Sequence, residues 1–233
     1  MTCPGFLAAC YLTLAAAQLP EMHPMDVASV ASNLDLAGNG VRRWLKELGV
    51  DRKGSTTERL FVVNFKGEVL MVRNGGNSSV RVDSEMDDLL LTPGAAIVMV
   101  HNHPANVGLS LADLRHLAKP GVAAIVAIGH DGSVYIAAAG PRFDRSWFAD
   151  EQYAIALAEI QMRLQVERPS GRLSIADSDR HTSHLISLAL ARAGIVQYWF
   201  KFRGSSQHSY ESARYVFTRI VAGAAQRLRQ EKD

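Results

Sequence analysis

Short apolar runs alternate with amphipathic stretches along the chain, and this alternation predicts a protein of mixed α and β structure. Residues 96–100, Ala-Ile-Val-Met-Val, are apolar and mostly β-branched, which is typical of a buried strand. Similar runs predict further strands at Leu60–Phe65, Val69–Arg73, Ser79–Val82, Ala123–Ile128, Val134–Ala138 and Ile195–Phe202.

Apolar residues recur at helical spacing in the segments between these strands. They predict helices at Phe6–Gln18, Met25–Asn33, Gly38–Leu48, Ser84–Leu91, Leu111–Lys119, Asp144–Val166, Thr182–Ala193 and Tyr210–Leu228. A turn is predicted at Gly204-Ser205-Ser206 before the last helix. The expected fold is therefore α/β in the α+β sense, a mixed β-sheet flanked by helices.

The same pattern divides the chain into three segments. Residues 1–50 read as helical, residues 51–167 as an α/β catalytic-type domain that starts with a polar linker, and residues 168–233 as an α/β C-terminal extension. A chain of 233 residues is long enough to bury a sizeable core. The net charge of +2 conceals an asymmetry, because residues 1–167 carry 14 Lys and Arg against 18 Asp and Glu, and residues 168–233 carry 11 against 5.

Cysteine content and apolar-run lengths indicate where the protein is found. The two cysteines, Cys3 and Cys10, provide neither a disulfide framework nor a cysteine-based zinc site, so a reducing compartment is expected. The apolar stretch Phe6–Leu19 is too short to cross a bilayer as a helix, and no Lys or Arg precedes it as in a signal peptide. We therefore expect a cytoplasmic protein without a membrane partner.

The residues with the most chemistry follow the strand at 96–100. If that strand continues, His101 and His103 point to one side and Asn102 to the other, and Pro104 ends the strand. Ser110 is placed to cap the next helix, with Asp113 at its third position. Two imidazoles and a carboxylate make a three-ligand set that leaves a tetrahedral metal one open position.

Each part of this pattern also has a simpler interpretation. Ser-x-x-Asp by itself is more often only a helix cap, and a single histidine is more often a surface or core residue than a ligand. Two histidines at i and i+2, beside a proline and a capped helix that carries an aspartate, are less common by chance. Residue chemistry alone leaves a metal site and a set of structural residues both open.

These residues resemble the signature of the JAB/MPN (JAMM) metallopeptidase family, and His101-Asn102-His103-Pro104 is most similar to its RadC-like bacterial branch. The similarity extends over about residues 55–140. It includes Glu58 directly before an apolar strand, Pro93–Val98 before the histidine strand, and the run Gly121–Gly132. The resemblance implies a JAB/MPN, cytidine-deaminase-like fold for this part of the chain.

The resemblance also implies a role for each residue. Zn²⁺ would be bound by His101, His103 and Asp113, Glu58 would be the general base, and Ser110 would stabilise the oxyanion. The implied reaction is zinc-assisted hydrolysis of an amide, at or near the C-terminus of a protein or peptide substrate. One departure concerns the loop Ala105–Leu109: nine residues separate His103 from Asp113, where the family usually has ten. Loops absorb a single deletion better than helices or strands do, so we expect the geometry to survive.

Other titratable residues are weaker candidates. Glu68 lies beside a predicted turn and Glu85 begins an acidic helix face, so each is a less suitable base than Glu58. His116 lies one helical turn after Asp113 and is either a supporting group or a surface residue. His181 and His184, spaced i and i+3, could bind a metal, but we expect them to be solvated side chains at a helix start.

The basic C-terminal segment supports two alternatives to a peptidase. The run 198–203 interleaves aromatic residues with Lys201 and Arg203, which is compatible with nucleic-acid binding by a RadC-like protein. The same run is also compatible with a half-buried strand whose cations extend to solvent. A non-catalytic scaffold of the same fold is the third hypothesis, and retention of Glu58 and Ser110 beside the three ligands argues against it. The sequence leaves the substrate and the oligomeric state open.

Overall fold

A six-stranded mixed sheet lies at the centre of the fold, in a computed structural model that describes residues 26–50, 57–77, 79–145, 150–171 and 173–231. The strands are β1 (Arg59–Val63), β2 (Val69–Asn74), β3 (Ile97–His103), β4 (Val122–Gly129), β5 (Val134–Ala139) and β6 (Val196–Lys201). Their order is β2-β1-β3-β4-β5-β6. Only the central pair, β3 and β4, is parallel among these strands.

Helices cover both faces of the sheet. They are α1 (Val27–Asn33), α2 (Gly40–Glu47), α3 (Ser84–Leu91), α4 (Leu111–Arg115), α5 (Asp150–Glu167), α6 (Ile175–Arg192) and α7 (Gly204–Gln230). Side chains of a strand alternate between faces, so Met99 packs toward α4–α7 while Val98 and Val100 pack toward α1 and α2. All seven residues of β3 are buried, which explains its near-continuous apolar sequence.

Residues 168–233 continue the same sheet and the same core. Strand β6 pairs antiparallel with β5, from Val196 opposite Ala139 to Lys201 opposite Val134. Helices α5, α6 and α7 pack against one another, and Phe217 and Leu190 belong to the same buried cluster as Met99. The change of net charge near residue 168 therefore does not coincide with a break in the sheet.

Several boundaries differ from those predicted from the sequence. The predicted strand Ser79–Val82 is wrong: the segment pairs with no strand of the described sheet, and the Gly76 N–H donates to the Ser79 carbonyl at 2.9 Å. Helix α6 begins at Ile175 rather than at residue 182, because Ser174 caps it through the Asp177 N–H. The turn predicted at residues 204–206 is the first turn of α7.

The remaining predicted elements divide between those confirmed and those outside the described residues. The helices predicted at 25–33, 38–48, 84–91 and 144–166 correspond to α1, α2, α3 and α5. The helix predicted at 111–119 is α4 followed by a 3₁₀ turn, His116–Ala118. The helix predicted at Phe6–Gln18, both cysteines and most of the linker at 51–57 lie outside the described residues. Among the described helices, none combines the length and the apolar character needed to cross a membrane.

Candidate metal centre

The end of β3 brings two imidazoles together. Because alternate residues of a strand share a face, His101 and His103 project to the same side, and their Nε2 atoms lie 2.9 Å apart. Both residues are buried, each with 6% of its surface exposed. Strand β3 ends at His103, directly before Pro104, as predicted.

The start of α4 brings a carboxylate to the same point. Ser110 is the N-cap, its Oγ accepts from the Asp113 N–H at 3.2 Å, and Asp113 Oδ2 accepts from the Ser110 N–H at 2.7 Å. This reciprocal capping box fixes the carboxylate in the orientation that faces the histidines. Asp113 Oδ1 is 3.1 Å from His101 Nε2, and Asp113 Oδ2 is 3.4 Å from His103 Nε2.

The spacing of these three groups suits a small divalent cation. Their candidate ligand atoms all lie within 4.8 Å of one another. Metal–ligand bonds of about 2.0–2.1 Å in a tetrahedron place neighbouring ligand atoms about 3.3 Å apart. The two imidazole nitrogens are 2.9 Å apart, and the distances to the carboxylate, 3.1 Å to Oδ1 and 3.4 Å to Oδ2, are close to that value. Two imidazoles and one carboxylate are also a donor set that zinc accepts.

The short loop after β3 fixes the protonation of one imidazole. His103 Nδ1 lies 3.0 Å from the Val107 carbonyl, which can only accept, so Nδ1 carries the proton and Nε2 keeps a lone pair when the ring is neutral. The same loop is anchored on α6: a Cβ on Gly108 would lie 2.9 Å from the His184 backbone nitrogen. This loop therefore bonds His103 through the Val107 carbonyl, and it lies against α6 at Gly108.

The electrostatics of the three groups are coupled. Burial acts to raise the pKa of Asp113, but the imidazoles of His101 and His103 outweigh burial and hold that pKa well below its usual value. Burial acts to lower the pKa of His103, and its hydrogen bond to Asp113 raises it above the ordinary value instead. Asp113 is therefore ionised at neutral pH, as a ligand must be.

Glu58 and Ser110 line the same cavity as the three candidate ligands. Glu58 is half-buried just before β1, and burial raises its pKa although His103 and His101 act in the opposite direction. The Ser110 hydroxyl donates to Asp113 Oδ2 at 2.7 Å. To donate to a substrate oxygen, this hydroxyl would have to rotate away from Asp113. All five residues predicted from the sequence are thus brought to one cavity.

Asn102 has a structural role that the sequence pattern did not indicate. Its side chain points to the other face of β3, where Oδ1 accepts from the Arg59 N–H at 2.8 Å and Nδ2 donates to the Thr57 carbonyl at 3.0 Å. These two hydrogen bonds fix the backbone on either side of Glu58. Nδ2 also lies 3.0 Å from His130 Nε2. The sequence showed only that Asn102 lies between the two histidines. The backbone groups it bonds, at Thr57 and Arg59, lie more than 40 positions upstream.

The weaker candidates for the base lie elsewhere. Glu68 accepts from Asn64 Nδ2 at 2.6 Å in the turn between β1 and β2, and Glu85 pairs with Arg73 at 2.6 Å. Neither lines the cavity. His116 does line it, and its Nδ1 is buried without a hydrogen-bond partner among the described residues. Burial, with a contribution from Lys119, lowers the pKa of His116 to about 4.

The expectation that His181 and His184 are solvated is wrong. Both are fully buried, because the helical period of α6 turns them toward β6 and α7 rather than outward. His181 Nε2 lies 2.7 Å from Ser209 Oγ, and His184 Nδ1 lies 3.0 Å from Tyr198 Oη. Aromatic rings surround both imidazoles, and the two belong to no three-residue His, Cys, Asp or Glu cluster among the described residues.

The cationic aromatic run forms a half-buried strand. Strand β6 packs Phe200 against His184, with ring centroids 4.5 Å apart. Lys201 Nζ donates to the Ala37 carbonyl at 2.6 Å, and an Arg203 guanidinium nitrogen donates to the Gly38 carbonyl at 2.9 Å. These cations therefore fasten the turn between α1 and α2, and the aromatic ring of Phe200 faces the core.

Comparison of the chain with family models, curated proteins and solved structures finds no match. The JAB/MPN assignment stays a prediction, carried by the motif residues alone.

Proposed function

We propose that this chain is a zinc-dependent metallopeptidase or isopeptidase, a hydrolase that cleaves an amide bond in a protein or peptide substrate. One observation carries the proposal: three groups suited to binding zinc converge within 4.8 Å at a cavity that also contains a carboxylate and a hydroxyl. This is the combination that metal-assisted amide hydrolysis requires.

The residues would divide the chemistry as follows. His101, His103 and Asp113 would hold Zn²⁺, which supplies Lewis acidity by lowering the pKa of water to about 7 and polarising a carbonyl. Glu58 would accept the proton of the attacking water and pass it to the leaving amine. Burial raises the pKa of Glu58, which makes its carboxylate a stronger base for the first of these transfers.

Ser110 and the backbone would contribute orientation. The Ser110 hydroxyl would turn from Asp113 to the substrate and donate to the oxyanion, an interaction commonly worth about 3 kcal/mol in the transition state. Asn102 would keep the Glu58 backbone in register through Thr57 and Arg59. The Val107 carbonyl would keep His103 in the tautomer that presents Nε2.

A pair of matched substitutions tests the proposal. The chain contains a second Ser-x-x-Asp cap, in which Ser174 Oγ donates to Asp177 Oδ2 at 2.6 Å and Asp177 N–H bonds Ser174 Oγ at 3.0 Å. Asp113→Asn and Asp177→Asn both alter a capping carboxylate, but only Asp113 faces imidazoles. We expect about one equivalent of zinc in the wild type and in Asp177→Asn, and little in Asp113→Asn, by mass spectrometry of metal content.

The result that contradicts the proposal is equally specific. If Asp113→Asn retains as much zinc as Asp177→Asn, the carboxylate is a helix cap and no more. Hydrolysis of peptide substrates should be lost together with zinc, and adding zinc to the metal-free wild type should restore it.

The nucleic-acid alternative depends on the positive charge of residues 168–233 and has less support. Lys201 and Arg203 are bonded to backbone carbonyls, and several other cations of this segment are paired, such as Arg219 with Glu167 and Arg168 with Asp179. Binding to phosphates weakens steeply with salt. A gel shift with labelled DNA that disappears as salt rises would favour this alternative.

A further inference from the structure

The cavity beside the two histidines has predominantly apolar walls. Its volume is about 330 Å³, near the lower end of the range of about 300–1,000 Å³ that is usual for ligand pockets. A space of this size accepts one side chain and the backbone next to it, so a peptide substrate would present a short stretch of chain to the candidate metal centre.

Apolar side chains stand directly beside the candidate ligands. Met99 lies two residues before His101 on the same face of β3, and its partner across the sheet is Ile125 of β4. Leu60 of β1 is paired with His101. All three line the cavity, so its floor next to the reacting centre is a continuous apolar surface.

The segment that precedes α3 completes this wall from outside the sheet. Val80 and Val82, both half-buried, line the cavity and pack against the same core cluster as Met99.

Two acidic side chains, Glu58 and Asp113, line the cavity, and none of the described residues that line it is Lys or Arg. Zn²⁺ at the candidate ligands would be the cation of the cavity. A substrate carboxylate that lay in the apolar wall, away from the metal, would therefore lose its hydration without gaining a cationic side chain as partner, which is unfavourable. An apolar group would instead gain from the burial of its surface.

We infer that the substrate carries an apolar side chain next to the scissile amide, and that Met99, Ile125, Leu60 and Val80 form the pocket that selects it over an acidic one. This inference rests on the proposed function and adds to it the class of residue beside the cleaved bond.

A set of internally quenched peptides tests the selection. The full-length, zinc-loaded protein is assayed with peptides that place Leu, Phe, Gly or Asp on either side of the cleaved bond. We expect kcat/KM for Leu or Phe to exceed that for Gly by about 10–200-fold at one of the two positions, which is the range that apolar contacts provide. We expect the Asp peptide to be cleaved more slowly than the Gly peptide at that position.

A matched pair of variants assigns the selection to the cavity. Val80→Asp puts a carboxylate into the wall, and Val72→Asp puts one at a half-buried valine of β2 that packs in the other core cluster, outside the cavity. Val80→Asp should reduce the Leu-to-Gly ratio at least 10-fold, and Val72→Asp should leave it unchanged. The ratio is insensitive to a partial loss of folded protein, and Val80→Ala, which should raise the Phe-to-Leu ratio, serves if Val80→Asp does not fold.

The outcomes distinguish this inference from the proposed function. Equal kcat/KM for the Leu, Gly and Asp peptides, or a preference for Asp, overturns the inference and leaves the peptidase proposal standing. Equal effects of Val80→Asp and Val72→Asp on the ratio overturn the assignment to this pocket. If protein that binds zinc cleaves no peptide of the set, the proposed function is wrong and the inference falls with it.

Discussion

The chain contains two buried pairs of histidines with different surroundings. His101 and His103, the strand pair, face a carboxylate and an open cavity. His181 and His184, the helix pair, face hydroxyl groups and aromatic rings. Both pairs have close sequence spacing, and the loop through Gly108 contacts the backbone of His184, so the two are neighbours. The difference shows that burial and close spacing alone do not assemble a candidate metal site. The carboxylate of Asp113 and an adjoining cavity accompany only the first of these two pairs.

The charge state of the two pairs follows from this difference. Asp113 raises the pKa of His103. Burial lowers the pKa of His184 well below its ordinary value and, with a contribution from Arg180, lowers that of His181 to about 4. At His101 and His103, the carboxylate of Asp113 can therefore balance a positive charge. His181 and His184 stay neutral at neutral pH, and their rings pack between α6, β6 and α7.

The largest expected effect concerns Glu58, the proposed acid–base group in the cavity beside His101 and His103. Glu58→Gln keeps the shape of the side chain but cannot accept a proton, so we expect kcat to fall about 10²–10⁴-fold with zinc content unchanged. Peptide hydrolysis and metal analysis on the same sample check this. The control is Glu68→Gln, which lies outside the cavity and should retain full activity. Loss of zinc in Glu58→Gln would indicate a ligand rather than a base.

The two pairs should respond oppositely to the same substitution. His184→Leu removes the imidazole that bonds the Tyr198 hydroxyl and replaces a ring in an aromatic cluster, so we expect the free energy of unfolding to fall by about 2–3 kcal/mol with zinc content unchanged. His101→Leu should abolish zinc binding. Denaturant unfolding and metal analysis measure both. If His184→Leu also lost its zinc while folded, the two pairs would not be functionally separate.

Acid should act on the helix pair through stability. The pKa of His181 is about 4 in the folded protein against an ordinary 6.5, so the unfolded chain binds more protons between these values, and stability falls as pH drops. We expect about 2 kcal/mol of stability to be lost between pH 7 and pH 5 from this residue. Denaturant unfolding of the wild type and of His181→Asn at both pH values isolates the contribution. An equal loss in the variant would assign it to other groups.

The smallest effect is expected behind the strand pair. Asn102→Ala removes two bonds that flank Glu58, so we expect kcat to fall about 10-fold, with zinc retained and stability lowered by about 1 kcal/mol. If Asn102 positions Glu58, the pH dependence of kcat should shift in Asn102→Ala. Loss of a residue with a purely structural role would leave that pH dependence unchanged. An unchanged pH profile at reduced stability would leave Asn102 with a structural role alone.

Local patterns predicted the centre of the molecule well. The alternation in Ile97–His103 indicated which histidines share a face, and Ser110 and Asp113 at capping positions indicated where the carboxylate would lie. Both depend on residues within a few positions of one another. The prediction of a strand at 79–82 failed because strand formation needs a partner, and that segment has none in the sheet.

The features that sequence could not indicate depend on distant contacts. Asn102 bonds residues 43 and 45 positions upstream, and that pairing exists only once β1 lies beside β3. The burial of His181 and His184 depends on aromatic residues of β6 and α7. The neighbouring residues in the sequence are polar, so they did not indicate that burial. Long-range packing overrode local polarity in both cases.

The capping box at the start of α4 has a practical consequence. Asp113 both completes the capping box of a five-residue helix and faces the imidazoles, so the backbone amides of Ser110 and Asp113 are bonded to the same two side chains that shape the candidate site. Amide hydrogen exchange at these two positions should therefore report occupancy of the site directly, by the slowing of exchange when a cation is added. The chain thus contains an observable for ligand binding that needs neither a substrate nor a label.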